Sequence, residues 1–184
     1  VYSNTGGQSS KSTPAGATAK FATAGKRVGK KNLAMQAISY GNVYVAQIAF
    51  GSNPQQTLLA LREAEAYEGP SLILAYSHCI AHGYDMAEGL HQQKRAVQSA
   101  YWPLLRYNPA LRTLGKNPFV LDFLRPFLPI SEFTSREMRY KNLEKNNPED
   151  AAHLMEVAQQ MVDLRWGTYE DMTHWNPEDF APLF

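Results

Sequence analysis

The sequence predicts an α/β fold, a partial doubly wound parallel sheet followed by a helical C-terminal extension. Three observations point there. Residues 43–50 (VYVAQIAF) are rich in β-branched and apolar side chains, the pattern of a strand covered on both faces. A helix start at Ser52-Asn53-Pro54 leads into a second such run at 71–76 (SLILAY), and strand–helix–strand in short succession is the pattern of parallel α/β sheets. Beyond Asn147-Pro148, Ala151, Met155, Ala158, Val162, Trp166 and Tyr169 recur at helical spacing.

The elements follow in chain order. Residues 3–16 are small, polar or turn-forming, so this stretch is a loop with free backbone N–H groups. Weak periodicity over 17–31 predicts partial helix. Residues 32–40 (NLAMQAISY) are a short helix closed by Gly41. The helix opened by Asn53 and Pro54 carries Leu58, Leu61 and Ala64 on one face and ends near Gly69-Pro70. Asp85 and Glu88 open a helix that runs to about residue 102, with Met86, Leu90, Val97 and Tyr101 on its apolar side, until Pro103 stops it. Residues 104–130 show little pattern beyond one short strand at 119–123. A helix over 134–144 starts with Thr134 and Glu137, and the long amphipathic helix follows. The reading divides the chain into residues 1–122, the sheet-bearing part, and residues 123–184, a mostly helical extension of the same domain.

Composition narrows the function classes. Among 184 residues 44% are hydrophobic and 19% charged, ordinary for a globular chain, and a net charge of +1 gives no reason to expect nucleic acid or an anionic membrane. No apolar run approaches a membrane span. The charge is unevenly placed. Residues 1–31 carry Lys11, Lys20, Lys26, Arg27, Lys30 and Lys31 without one acid, whereas the chain from Asn147 carries eight acids against Arg165 alone. A basic start of that kind is expected to face something anionic. The single cysteine, Cys79, excludes an internal disulfide framework and fits a reducing, cytoplasmic setting. The chain opens without Met, on Val-Tyr running into Gly-rich sequence, which reads as the last step of a strand belonging to a longer polypeptide.

In such sheets ligands sit beyond the carboxyl ends of strands, which directs attention to residues 2–14 and 77–83. Gly6-Gly7-Gln8-Ser9-Ser10-Lys11-Ser12 superficially resembles a phosphate-binding P-loop, but Thr5 and Ser10 stand where its two glycines belong, so a nucleotide-triphosphatase is disfavoured. Free amides backed by lysines still suit an anion or a metal-held diphosphate, although composition alone favours a plain solvated loop. His78, Cys79 and His82 lack a fourth neighbouring ligand for zinc, and a cysteine nucleophile lacks an orienting acid. Taken by itself, a lone cysteine is more often a small buried hydrophobe. His91, His153 and His174 have no evident partner.

The string Val1-Tyr2-Ser3-Asn4-Thr5-Gly6-Gly7-Gln8-Ser9-Ser10-Lys11-Ser12-Thr13-Pro14 resembles the thiamine-diphosphate loop of the pyruvate:ferredoxin (flavodoxin) oxidoreductases. The likeness continues through Ala24-Gly25-Lys26-Arg27, Tyr40-Gly41-Asn42-Val43-Tyr44, Cys79-Ile80, Tyr101-Trp102-Pro103-Leu104 and Gly115-Lys116-Asn117-Pro118-Phe119, and loosens after residue 122. The resemblance implies the C-terminal part of a thiamine-diphosphate-binding domain, in an enzyme that oxidatively decarboxylates pyruvate with coenzyme A as acyl acceptor and passes electrons to ferredoxin or flavodoxin. It implies that the Val1 carbonyl is a Mg²⁺ ligand, in keeping with a hard cation's demand for oxygen. By the same likeness Tyr2 and Ser3 line the diphosphate, and Asn4 lies beside the reacting carbon, where an amide can hydrogen-bond developing negative charge. Cys79 matches the fourth ligand of a [4Fe–4S] cluster, a group that takes four thiolates. The remaining ligands and the rest of the polypeptide lie outside these residues, the family is commonly homodimeric, and the fragment alone is expected to be inactive. The alternative is a non-enzymatic α/β module using the basic loop to bind an anion or partner.

Overall fold

A computed structural model describes residues 1–123 and 125–180. Of the extension read over 123–184, residue 124 and residues 181–184 lie outside the described residues. The sheet has four strands in the order β2-β1-β3-β4, formed by β1 (Tyr44–Ile48), β2 (Ser71–Ala75), β3 (Leu105–Tyr107) and β4 (Phe119–Leu121). Both apolar runs are strands, and they pair in parallel from Tyr44↔Ser71 to Ile48↔Ala75. Their crossover is α2 (Pro54–Ala66), entered through Asn53, whose side chain accepts from the Gln56 N–H at 2.9 Å. The α/β class is as expected. The sheet is mixed, however, because β3 runs antiparallel to β1 and β4 antiparallel to β3, with the short α4 (Ala110–Thr113) between the last two.

The period-2 alternation of β1 sorts the molecule into layers. Tyr44, Ala46 and Ile48 face α2 and meet Ala60. Val45, on the opposite face, joins Leu105, Tyr107 and Phe119 under α1 (Leu33–Ile38) and the end of α7 (Pro148–Met172). A further core lies beside the sheet. It gathers Ala15 and Ala17 of the loop, Val97 of α3 (Gly89–Gln98), Phe133 of α5 (Ile130–Thr134), Tyr140 of α6 (Met138–Asn146), and Val162 and Trp166 of α7. Trp102 pins this core to the sheet, its Nε1 donating to the Ile48 carbonyl at 2.9 Å. The amphipathic stripe of residues 151–169 is therefore core-facing, as its spacing predicts, with Ala158, Val162, Trp166 and Tyr169 buried. No helix among the described residues is long and apolar enough to cross a membrane.

Several details depart from the sequence reading. Residues 17–31 form no helix; their N–H groups bond across the loop instead, as from Lys26 to the Ala17 carbonyl and from Lys31 to the Lys11 carbonyl. Strand β2 lies at the sheet edge and is half-exposed rather than buried on both faces. Leu58 and Leu61 are 50% and 49% exposed, because α2 turns Gln56 and Ala60 to the sheet. The helix expected from Asp85 starts as a 3₁₀ turn, and α3 buries Gln92, Gln93, Ala96 and Val97 while Leu90 points outward. The helix expected over 134–144 is two, broken at residues 135–137, and Glu137 makes no cap hydrogen bond.

A polar cluster fastens α2 to the antiparallel strands. Arg106 of β3 forks onto Asp122, Nε at 2.7 Å and Nη2 at 2.8 Å, and its Nη1 pairs with Glu63 of α2. Glu63 also accepts from the Tyr44 hydroxyl at 2.9 Å, and Asp122 from Gln56 Nε2 at 2.9 Å. All three charged side chains are largely shielded, so the planar guanidinium is what satisfies both carboxylates. Removing one member of such a cluster leaves uncompensated charge. Arg106→Met should cost about 3 kcal/mol in denaturant unfolding, and Arg106→Lys should recover only part of that, because an ammonium cannot reproduce the fork.

Candidate functional site

The first eight residues close on themselves. Tyr2 donates to the Gln8 carbonyl and Gly7 back to the Tyr2 carbonyl, both at 2.9 Å, and Gly6 donates to the Ser3 carbonyl at 3.2 Å. Gly6 and Gly7 hold φ of 91° and 90°, a region that β-carbon-bearing residues resist. The result is a turn with Ser3, Asn4 and Thr5 exposed at its tip and Tyr2 56% exposed. Val1 is half-buried, and its carbonyl accepts no hydrogen bond from the described residues. Further along, the Lys26 ammonium donates to the carbonyls of Ser10 and Thr13 at 2.8 and 2.7 Å, and Thr13 Oγ1 accepts from the Ser10 N–H at 2.9 Å. The basic loop is thus a folded structure rather than a solvated tail.

Cys79 lies just past the carboxyl end of β2. Its side chain caps the 3₁₀ turn Ile80–His82, with Sγ accepting from the Ala81 N–H at 3.4 Å. The sulfur is partly exposed. This turn packs against the amino-terminal turn, and a β-carbon placed on Gly7 would lie 3.4 Å from that of Ala81. The two stretches that sequence reasoning singled out therefore meet. Tyr2, Ser3 and Asn4 do not converge with Cys79 on any hydrogen bond among the described residues. No three His, Cys, Asp or Glu side chains there come together around a common point. His78 Nδ1 instead faces Gln93 Nε2 at 3.2 Å, and His82 turns inward.

Behind the two turns is a buried polar group that the sequence reading missed. Glu137 is fully buried and accepts from Arg139 Nε and, at 3.2 Å, from Gln92 Nε2. His82 Nδ1 stands 4.0 Å from Glu137 Oε1. Burial, followed by the charge of Arg139, pushes His82 down to about 3, so its ring is neutral. Burial raises the Glu137 carboxyl above its ordinary range, opposed by Arg139 and Gln92. A cavity of about 320 Å³ opens between the end of β2 and Val1, lined by Lys30, Tyr76, His82, Arg139 and Arg165 among others. Lys30 lies over the Trp102 ring, 5.2 Å from its centroid. One signal for Arg165 was available: positions 158, 162, 165 and 169 share a helix face, which places this arginine on the buried side.

No family model matches the chain. It is 54% identical over 170 residues to the pyruvate-flavodoxin oxidoreductase of Nostoc sp., covering 92% of this chain and 14% of that protein. Against the pyruvate:ferredoxin oxidoreductase of Moorella thermoacetica it is 49% identical over 172 residues, 94% of this chain and 15% of the relative. The mitochondrial pyruvate dehydrogenase [NADP(+)] of Euglena gracilis is 48% identical over 174 residues, 94% of this chain and 10% of the relative. The chain is homologous to one fragment of the pyruvate-flavodoxin and pyruvate:ferredoxin oxidoreductases, and it spans about one seventh of their length.

The neutral His82 makes stability pH-dependent with a definite sign. Its folded value is depressed, so unfolding takes up a proton below the ordinary value of 6.5, and stability falls as pH drops from there toward 3. Between pH 7 and 5 the loss is about 2 kcal/mol. His82→Gln should remove that share of the acid sensitivity, measured as the difference between unfolding midpoints at the two pH values.

Proposed function

We propose that residues 1–184 form the C-terminal part of the thiamine-diphosphate-binding domain of an enzyme that oxidatively decarboxylates pyruvate. In this reading coenzyme A takes the acyl group, and ferredoxin or flavodoxin takes the electrons, in a cytoplasmic homodimer. Residues 1–122 carry the cofactor-facing part and residues 123–184 extend the same domain. The single observation that carries the proposal is the meeting of the Gly6-Gly7 turn with the Cys79 turn beyond the carboxyl end of β2, in a chain about half identical to enzymes named as pyruvate-flavodoxin and pyruvate:ferredoxin oxidoreductases. Relatives named as oxidoreductases disfavour a non-enzymatic binding module.

The residues present fit the groups this reading calls for. Magnesium takes oxygen ligands in an octahedron, and the Val1 carbonyl is free of any partner among the described residues. Tyr2 and Ser3 follow it around a turn whose backbone is held by its own hydrogen bonds, so they would meet a diphosphate without rearranging. Asn4 is exposed at the tip, and its uncharged amide would orient a 2-oxo acid and hydrogen-bond developing negative charge. Thiamine diphosphate, when bound, supplies the electron sink for loss of carbon dioxide. Cys79 offers a partly exposed sulfur that already accepts the Ala81 N–H, a hydrogen bond of the kind that tunes cluster thiolates.

Two experiments test this. In the full-length enzyme, Cys79→Ser should lower iron content by one four-iron cluster and slow electron transfer; unchanged iron content and paramagnetic signals would remove the assignment. Residues 1–184 produced alone should show no turnover and at most weak thiamine-diphosphate binding, since one carbonyl is a small share of a magnesium site. Calorimetry showing tight, Mg²⁺-dependent binding to this fragment would contradict that reading.

A further inference from the structure

We infer that the cavity between the end of β2 and Val1 is a site for one small oxyanion group, a carboxylate or a phosphate, seated among Lys30, Arg139 and Arg165. Val1, assigned above to magnesium, also lines this cavity, so the site borders that turn; Tyr2, Ser3 and Asn4 do not line it, and the oxyanion site rests on Lys30, Arg139 and Arg165 rather than on that assignment. Its wall carries Lys30, Lys31, Arg139 and Arg165, and among the described residues lining it there is no acid.

The arginines are committed only in part. Arg139 is 5% exposed; its Nε is spent on Glu137, while its Nη2 is buried without a partner. Arg165 Nη2 donates to the carbonyls of Ala100 and Tyr101 at 2.7 and 2.9 Å, and its buried Nε has no partner. Neither of those carbonyls brings a charge. The hydroxyl of Tyr76, which also lines the cavity, is buried and unpartnered as well. Glu137 can balance one guanidinium and leaves the second, together with Lys30, uncompensated. Buried cations without a counter-charge are strongly unfavourable, and unused N–H groups of arginine are well matched to the paired oxygens of a carboxylate or phosphate.

Lys30 senses the surplus of positive charge. Burial, then the charges of Arg165, Lys31 and Lys26, lower it to about 8, and its ammonium lies over the Trp102 ring. An oxyanion among these groups would return it to the ordinary lysine range.

The test is competitive acetylation of the full-length protein across pH, with Lys30 labelling read by mass spectrometry, without and with sulfate. If a free or ligand-borne oxyanion fills the site, Lys30 titrates near 8 without sulfate and moves above 9.5 with it, slowing labelling at pH 8 at least tenfold. If a carboxylate from polypeptide outside these residues fills it, Lys30 titrates above 9.5 with or without sulfate. Titration at or below about 8 that sulfate does not move overturns the proposal. Arg165→Gln should raise the sulfate needed for protection at least tenfold in the first case, and lower the Lys30 titration by a unit or more in the second. If that variant does not fold, the wild-type titration decides alone.

Discussion

Running β1 and β2 in the same direction puts both carboxyl ends on one rim, and the molecule's chemistry collects there. The parallel register from Tyr44↔Ser71 to Ile48↔Ala75 needs a crossover, and α2 supplies it. Trp102 then bonds the last carbonyl of β1, at Ile48, and Tyr76 stacks edge-on against Trp102 with ring centroids 5.4 Å apart. Lys30 lies over the same indole. One aromatic side chain thereby fixes the strand end, the floor of the cavity and the return of the basic loop. The antiparallel strands β3 and β4 widen the sheet on its other side, and Arg106 locks them to α2, so the rim has a rigid support.

Much of this was legible in residues 43–76 because the physics there is local. β-branched runs, an Asn-Pro helix start and a Gly-Pro stop each act within a few residues, and the structure follows them. The long helix from Asn147 was legible for the same reason, its stripe being set by 3.6-residue spacing. Strand β3 was not. Its three residues are too few for a period, and its pairing with β1 is settled by Arg106 reaching Glu63 and Asp122, partners 43 and 16 residues away. The burial of Gln92 and Gln93 in α3 also inverts the hydrophobic expectation: Glu137 and the Phe133 carbonyl, 45 and 41 residues distant, accept from Gln92, while Gln93 accepts from the Gly51 N–H and faces His78, and these hydrogen bonds make the burial tolerable. Of the site, the motifs located both turns; their meeting at Gly7 and Ala81, and the arginines behind them, depend on tertiary contacts that no short window contains.

The apolar surface left open has a related origin. Strand β2 is an edge whose Leu72, Ile73 and Leu74 are only half-buried, and α2 exposes Leu58 and Leu61. Leu90 of α3 and Ile80 of the Cys79 turn add to it, the latter 80% exposed. The chain spans about one seventh of the length of these relatives, and exposed apolar side chains gathered in this way are the chemistry of a contact surface. The same view accounts for why residues chosen by pattern as core, such as Leu58 and Leu61, have the right chemistry and no partner here.

Charge placement, rather than charge total, is what separates a solvated basic loop from a site. The basic start and the acidic end do meet: Arg27 pairs with Asp150 at 2.7 Å, but that arginine is 57% exposed and such pairs contribute at most about 1 kcal/mol. The neutralisation visible in the sequence is therefore a surface matter. The inward-facing members, Lys30 from the basic start and Arg165 from the acidic end, line a cavity that none of those C-terminal acids lines. A protein that had only to stay folded would gain from replacing such cations by apolar groups. Their concentration beside two turns at the rim of a parallel strand pair is better understood as preorganisation, with the fold bearing the cost so that negative charge arriving at that rim meets donors already in position.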